Sequence, residues 1–444
     1  MLQRPRAVPK AIAARLGTHS PNYRAPILDG VTNHLRFRFG NLSSNAPWEP
    51  LSQPDGAELA SALLTELEAH WHTWRGTLSG SQALNACAHA LNPAIDADRF
   101  AFLLVGTWSV ADASLVSETS VDLLTSALNS SRGVAAEAAA VLSRRIGESG
   151  APLSALLCSS LKFFAQDEST AVRAVLIHYL PGVQAYFPEF GWQLFSFAIR
   201  GASPALWNEG ERCLYYAYHR EFDRMRPFLS AAEAHVGDGT GAMWGRIATL
   251  AMLSEQLSLE ELAGKLRSMA NTDAWRGAAS VFATNAPQAP HQQVCFAGLR
   301  LALDDAVGRA PAALQMTTLF RAERAVAIPD NMLRRYFEAL ESDESGTGAP
   351  MYEFQKWLAR RVQTSTDEAM DAAELAILKG PRRALHIWDE ELYPKILTSL
   401  FREAEDREEL DQGEFLRRVI ALQDALVKLG DTRINEWLTA AERP

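Results

Sequence analysis

The residues closest to metal chemistry are two short pairs, His70 with His72 and Cys87 with His89, since imidazole and thiolate are the usual ligands of zinc-like ions. On a helix an i, i+2 spacing turns two side chains to different faces, so neither pair is expected to hold one ion. Glu66 and His70, at i, i+4, do share a face, but His-Glu-x-x-His is missing and a surface hydrogen-bonded pair is expected. Asp96, Asp98 and the acidic run from Glu403 to Asp411 could attract a divalent cation. No further oxygen ligands accompany them, and solvated faces are the expectation. Gly264-Lys265-Leu266 lacks the earlier glycine of a phosphate-cradling loop. The stretch Gly237 to Gly241 follows no strand and reads as a joint between helices. A Gly-x-Ser-x-Gly nucleophile turn is absent. The expectation is a chain with no catalytic residues, no cofactor and no metal.

Binding chemistry is better represented. Rings are dense from Tyr186 through Trp192 to Phe197 and onward to Trp207, Tyr215, Tyr216 and Tyr218, with Arg212 and Arg220 nearby. Most such rings belong to a core. A few of them, with Trp192, Trp207, Tyr215 and Arg220 as candidates, would make a protein-recognition hot spot, because aromatics and arginine dominate interface energetics. Arginine doublets stand at 144–145, 334–335, 360–361, 382–383 and 417–418. Adjacent helical residues diverge by about 100°. Stacking that aligned Arg334, Arg335, Arg360 and Arg361 would nevertheless create a local basic groove for nucleic acid.

The elements that must position these residues are helices. Hydrophobic residues make up 48% of 444 residues and charged ones 22%, which is too apolar for a disordered chain. No apolar run reaches the roughly 18 residues of a membrane helix. Cys87, Cys158, Cys213 and Cys295 are far apart and suggest neither a disulfide framework nor a zinc module, which fits a reducing cytoplasm. The net charge of −10 is uneven: residues 1–40 carry seven Lys/Arg against Asp29 alone. The acidic remainder disfavours broad nucleic-acid binding. Prolines at 5, 9, 21 and 26 predict an extended basic arm over 1–55, with one short strand over Leu35–Phe39.

From about residue 56 the apolar spacing is helical. Leu153, Leu156, Leu157, Leu161 and Phe164 form one stripe; Leu259, Leu262, Leu266 and Met269 form another; Phe415, Val419, Leu422, Leu426 and Leu429 form a third. Short connections between such helices force antiparallel pairs to stack and hide their stripes. Proline- and glycine-bearing loops near 286 and 346 divide the chain, so the reading is 1–55 arm, 56–285 helical repeats and 286–444 C-terminal helical region. Gly430 is expected to end a helix, with Ile434, Trp437 and Leu438 on a last one.

Arg173, Arg212, Arg246 and Arg276 recur near helix starts, with Asp167 and Asp273 in the turns before two of them. This pattern, over roughly 115–285, resembles a degenerate HEAT repeat, and the resemblance implies an all-α solenoid whose Asp and Arg residues form a ladder between repeats. Residues 240–444, with Met243-Trp244, Trp275-Arg276, Leu400-Phe401 and the Trp437 to Pro444 ending, resemble the C-terminal helical sensor region of large bacterial STAND-type ATP-binding defence proteins. That resemblance implies a cytoplasmic scaffold in antiviral defence, with a protein partner such as an NTPase. The alternatives are nucleic-acid binding through an arginine-rich groove and a helical enzyme with a dispersed site.

Overall fold

The computed structural model describes residues 53–111, 122–322, 326–342, 348–379 and 392–428, with a few positions between 26 and 36. Among the described residues every regular element is a helix. Of the strand expected over Leu35–Phe39 only Arg36 is described, and it is helical. The other described positions of the arm between 26 and 36 are likewise helical and not extended, and 53–55 belong to the first long helix; the remaining arm residues, the last helix after Gly430 and the doublet at 382–383 lie outside the described residues. The chain divides between Ala217 and Tyr218 into two compact units, inside the 56–285 segment that the repeat pattern spans.

Several helices begin where a side chain accepts from the otherwise unpaired first-turn N–H groups. Ser130 accepts from Gly133, Ser154 from Leu157, Ser203 from Leu206 and Asn271 from Ala274. Ser258 and Glu261 form a reciprocal capping box. Pro93, Pro188 and Pro204 occupy first helical positions, where a missing N–H costs nothing.

The first unit contains α1 (Gln53–Ala69), α2 (Trp71–Trp74), α3 (Leu78–Ala88), α4 (Pro93–Val110), α5 (Leu123–Leu128), α6 (Ser131–Glu148), α7 (Ala155–Ala165), α8 (Thr170–Tyr186), α9 (Pro188–Ala198), α10 (Pro204–Glu209) and α11 (Glu211–Tyr215). Two layers result: α3, α6 and α8 pack in succession with α10 and α11 against α8, while α4, α7 and α9 follow one another alongside. The α6 helix is rich in alanine, and Ala135, Ala136, Ala138, Ala139 and Ala140 are all buried. Small side chains let its neighbours on both sides come close.

The second unit contains α12 (Phe222–Glu233), α13 (Gly241–Leu253), α14 (Leu259–Met269), α15 (Thr272–Asn285), α16 (Gln292–Asp304), α17 (Arg309–Arg321), α18 (Asp330–Ser342), α19 (Gly348–Val362), α20 (Thr366–Lys379), α21 (Leu392–Asp411) and α22 (Glu414–Lys428). Odd-numbered helices from α13 to α21 stack on one another, and even-numbered ones from α14 to α22 form the second layer. This alternation is the all-α, solenoid-like arrangement of helix pairs expected from the apolar stripes. The expected solvated acidic run 403–411 is the last part of α21.

Two kinds of contact set the spacing of the second unit. Between α13 and α15 the approach is backbone to backbone: a Cβ on Gly245 would lie 2.1 Å from the Ala274 carbonyl oxygen, and one on Gly277 would lie 2.1 Å from that of Ala242. Between α17, α18 and α19 the spacing is set by rings. Phe320 meets Tyr336 at 5.2 Å, Phe354 at 5.6 Å and Trp357 at 5.8 Å between centroids. Edge-to-face geometry of this kind adds to the stabilisation from burying the rings.

Candidate interaction surface

The strongest polar constellation of the first unit sits where α4 meets α6 and the α7–α8 turn. Asp167 is 3% exposed. Its Oδ2 accepts from Trp108 Nε1 at 2.5 Å and lies 3.5 Å from Arg132 Nη1, while its Oδ1 accepts from the Ser169 backbone N–H at 2.9 Å. Arg132 also reaches Glu168 at 3.1 Å, and its guanidinium lies 5.2 Å from the centroid of the Trp108 ring. Trp108 in turn stacks on Phe163 of α7, with centroids 5.1 Å apart and planes 17° from parallel. Phe163 is 42% exposed. A buried carboxylate therefore pins an indole, and the indole holds an exposed ring in place.

Similar ring and cation contacts recur along the same layer. Lys162, beside Phe163, lies 5.8 Å from the Phe190 ring of α9, and Arg200 lies 5.6 Å from Phe197. At the other side of α4, Trp71 meets Phe102 at 6.3 Å and carries Arg75 at 4.7 Å. Trp71 can lie there because Gly106 has no side chain; a Cβ would come within 2.5 Å of the indole. Phe102 and Ile95 of α4 are exposed.

The expected Asp–Arg ladder takes a different form. Asp167 pairs with Arg132 of the preceding pair of helices and not with Arg173, which donates to the carbonyls of Ala198 and Arg200 after α9. In both cases an arginine near the start of one helix reaches the turn of the next pair. Asp273 lies inside the first turn of α15, where Asn271 is the cap, and bonds Arg276 of its own helix at 2.7 Å. Arg212 of α11 faces back to His178 at 2.7 Å, and Arg246 lies in α13.

Among the partner-binding candidates, Trp192 and Trp207 are core residues, 7% and 3% exposed, and do not form a contact surface, because their helices turn these rings inward. Tyr215 is exposed and meets exposed Tyr216 edge-on at 5.5 Å. Arg220 is exposed, in the turn before α12. Arg335 pairs with Asp304 and Glu338, both at 2.9 Å; Arg361 pairs with Glu368; Arg360 donates to the Phe320 carbonyl. Arg334 is exposed. The doublets thus act mainly as clamps between neighbouring helices, and Arg418 does the same with Asp371 and Glu374. Sequence reasoning missed Trp108, Arg132 and Phe163; the serine cap before Arg132 was the available signal that another helix started there.

No protein-family model, curated protein or solved structure matches this chain.

A second polar group lies across α3, α6 and α8. Tyr179 donates to Glu137 at 2.8 Å. Burial pushes the Glu137 carboxyl above its usual range, against the lowering effect of the Tyr179 hydrogen bond and the charge of Arg36. Burial also lowers His89 to about 4, helped by the charges of Arg145, Arg144 and Arg36. Arg36 thus lies within electrostatic reach of this group. His70, His72, Cys87 and His89 do not converge, and no group of three metal-ligating side chains occurs among the described residues.

Proposed function

We propose that this protein is a non-catalytic, HEAT-like helical scaffold that recognises a protein partner through the α4–α7–α9 layer of its first unit. The observation that supports this reading is the exposed Phe163 ring held against Trp108, itself fixed by buried Asp167 and Arg132. A ring already immobilised before contact loses little rotamer freedom on binding, which is the property of an interface anchor. The half-exposed rings with cations over them extend the same chemistry on either side. The resemblance of 240–444 to sensor regions of STAND-type defence proteins adds the further proposal that the partner is an NTPase or another antiviral component in the bacterial cytoplasm.

The test is affinity purification of the intact chain beside a Phe163→Asp variant. A stoichiometric protein partner retained by the first and lost by the second, with equal thermal unfolding of both, supports the proposal. Equal retention by both, or tight binding of DNA or RNA at about 150 mM salt, sinks it.

A further inference from the structure

Most cations of the first unit serve its own structure. Arg99, Arg132 and Arg144 pair with carboxylates, Arg145 and Arg173 donate to backbone carbonyls, and Arg212 reaches His178. Among the described residues from Gln53 to Ala217, the side chains of Arg75, Lys162 and Arg200 alone among the cations make no ion pair or hydrogen bond. Each of these three lies over a ring instead. Arg75 is 4.7 Å from the Trp71 centroid, Lys162 is 5.8 Å from that of Phe190 and Arg200 is 5.6 Å from that of Phe197. All three rings belong to the α4–α7–α9 layer or, for Trp71, pack on it at Phe102.

Acids are in excess in this chain, 53 against 43 basic residues, so a cation left without one is informative. The acids close to the layer are engaged: Asp96 and Glu68 bind Arg99, and Asp167 and Glu168 face Arg132. Glu189 sits in the first turn of α9, where the helix dipole favours an acid. Asp98 is the exposed acid of α4, and the outward face of α7, from Ala155 through Ser159 and Phe163 to Gln166, carries none. A cation resting on a ring is held in one place, and Arg75 and Arg200 are exposed there while Lys162 is half-buried. On the same helices stand the exposed apolar side chains of Phe163, Phe102 and Ile95.

This arrangement suits carboxylates better than nucleic acid. A base stacks on an open ring face, whereas Trp71, Phe190 and Phe197 each carry a cation over the ring and Trp108 lies against both Arg132 and Phe163. A carboxylate needs only the cation. Packed helices lie about 8–10 Å apart, so three of them span about 20 Å. That is the length of about six extended residues or about 13 helical ones.

We propose that the α4–α7–α9 layer takes an acidic segment of a partner protein, its carboxylates set on Arg75, Lys162 and Arg200 and its apolar side chains on Phe163 and Phe102. The assignment rests on partner recognition by this layer and adds the chemistry of the partner to it.

Fluorescence anisotropy of the full chain with labelled peptides tests the proposal. The probe is a peptide of about 14 residues built from glutamate, leucine and phenylalanine; its controls replace every glutamate by lysine, or every leucine and phenylalanine by serine. The probe should bind at least about tenfold tighter than either control and weaken as salt rises from about 50 to about 500 mM. The triple variant Arg75→Gln, Lys162→Gln, Arg200→Gln should bind it about tenfold more weakly. The reversed variant Arg75→Glu, Lys162→Glu, Arg200→Glu should instead prefer the lysine peptide, a gain that misfolding cannot produce. Binding of the probe weaker than about 1 mM, equal binding of the probe and the lysine control, or unchanged affinity in the neutral triple variant overturns the proposal. So does tighter binding of oligothymidylate or of phosphatidylglycerol vesicles than of the probe. Phe163→Ser separates the anchor from the charges. If it leaves the affinity intact while the neutral triple variant lowers it, the charge assignment holds and Phe163 is not the anchor. If it abolishes binding while the triple variant does not weaken it, the anchor holds and the charge assignment falls.

Discussion

Replacing Asp167 by alanine should be among the most damaging single changes in the first unit. The carboxylate is buried and accepts from Trp108 and from the Ser169 backbone while facing Arg132. Its removal leaves the Ser169 N–H unpaired at a helix start and frees the Trp108 N–H, each at about 1–3 kcal/mol for a desolvated donor. Arg132, whose side chain is 12% exposed, keeps only the solvated Glu168 as counter-charge. Half-exposed Trp108 recovers part of its loss from water, so we expect a total of about 3–4 kcal/mol. At about 2–4 °C per kcal/mol, the unfolding temperature of this unit should fall by roughly 6–16 °C. Asp167→Asn retains one acceptor and should cost about 1–2 kcal/mol. A double-mutant cycle with Arg132→Met, read by urea denaturation, should give a coupling of about 1–2 kcal/mol. A loss below about 1 kcal/mol for Asp167→Ala would refute the claim that this carboxylate pins the junction.

Four further outcomes are expected. His89, lowered from 6.5 to about 4, binds fewer protons folded than unfolded, so its contribution is full above pH 6.5 and lost as pH falls through about 4. Stability against acid should therefore drop by on the order of 2–3 kcal/mol across that window, and His89→Gln should flatten the drop. Glu137 has the opposite sign: its raised folded value makes stability decline as pH rises above 4.5, and Glu137→Gln, which still accepts from Tyr179, should remove the decline. Gly277→Ala should destabilise the second unit by about 1–3 kcal/mol or more in calorimetry, since its Cβ would press on the Ala242 carbonyl. Under iodoacetamide at pH 8 and monitored by mass spectrometry, half-buried Cys158 should be alkylated first. Cys87, Cys213 and Cys295 are buried thiols pushed up by desolvation, and should react only on unfolding.

The helices were legible because apolar stripes and serine caps are local signals; the stripe from Leu259 to Met269 coincides with α14. Which arginine meets which carboxylate was not legible. Arg173 stands closer in sequence to Asp167 than Arg132 does, yet the stacking offset between successive helix pairs brings the more distant residue to the carboxylate. Ring density likewise said nothing of direction: Trp192 turns inward while Phe163, in a less aromatic stretch, turns outward.

The glycine crossing of α13 and α15 has a mechanical side. Where main chains touch, no rotamer change can widen the gap, so this step resists deformation in a way that the ring-filled step from α17 to α19 does not. Trp244 is the immediate neighbour of Gly245 and shares its helix. A change that disturbs this crossing is therefore passed to the packing of that buried indole instead of being absorbed by side-chain rotation.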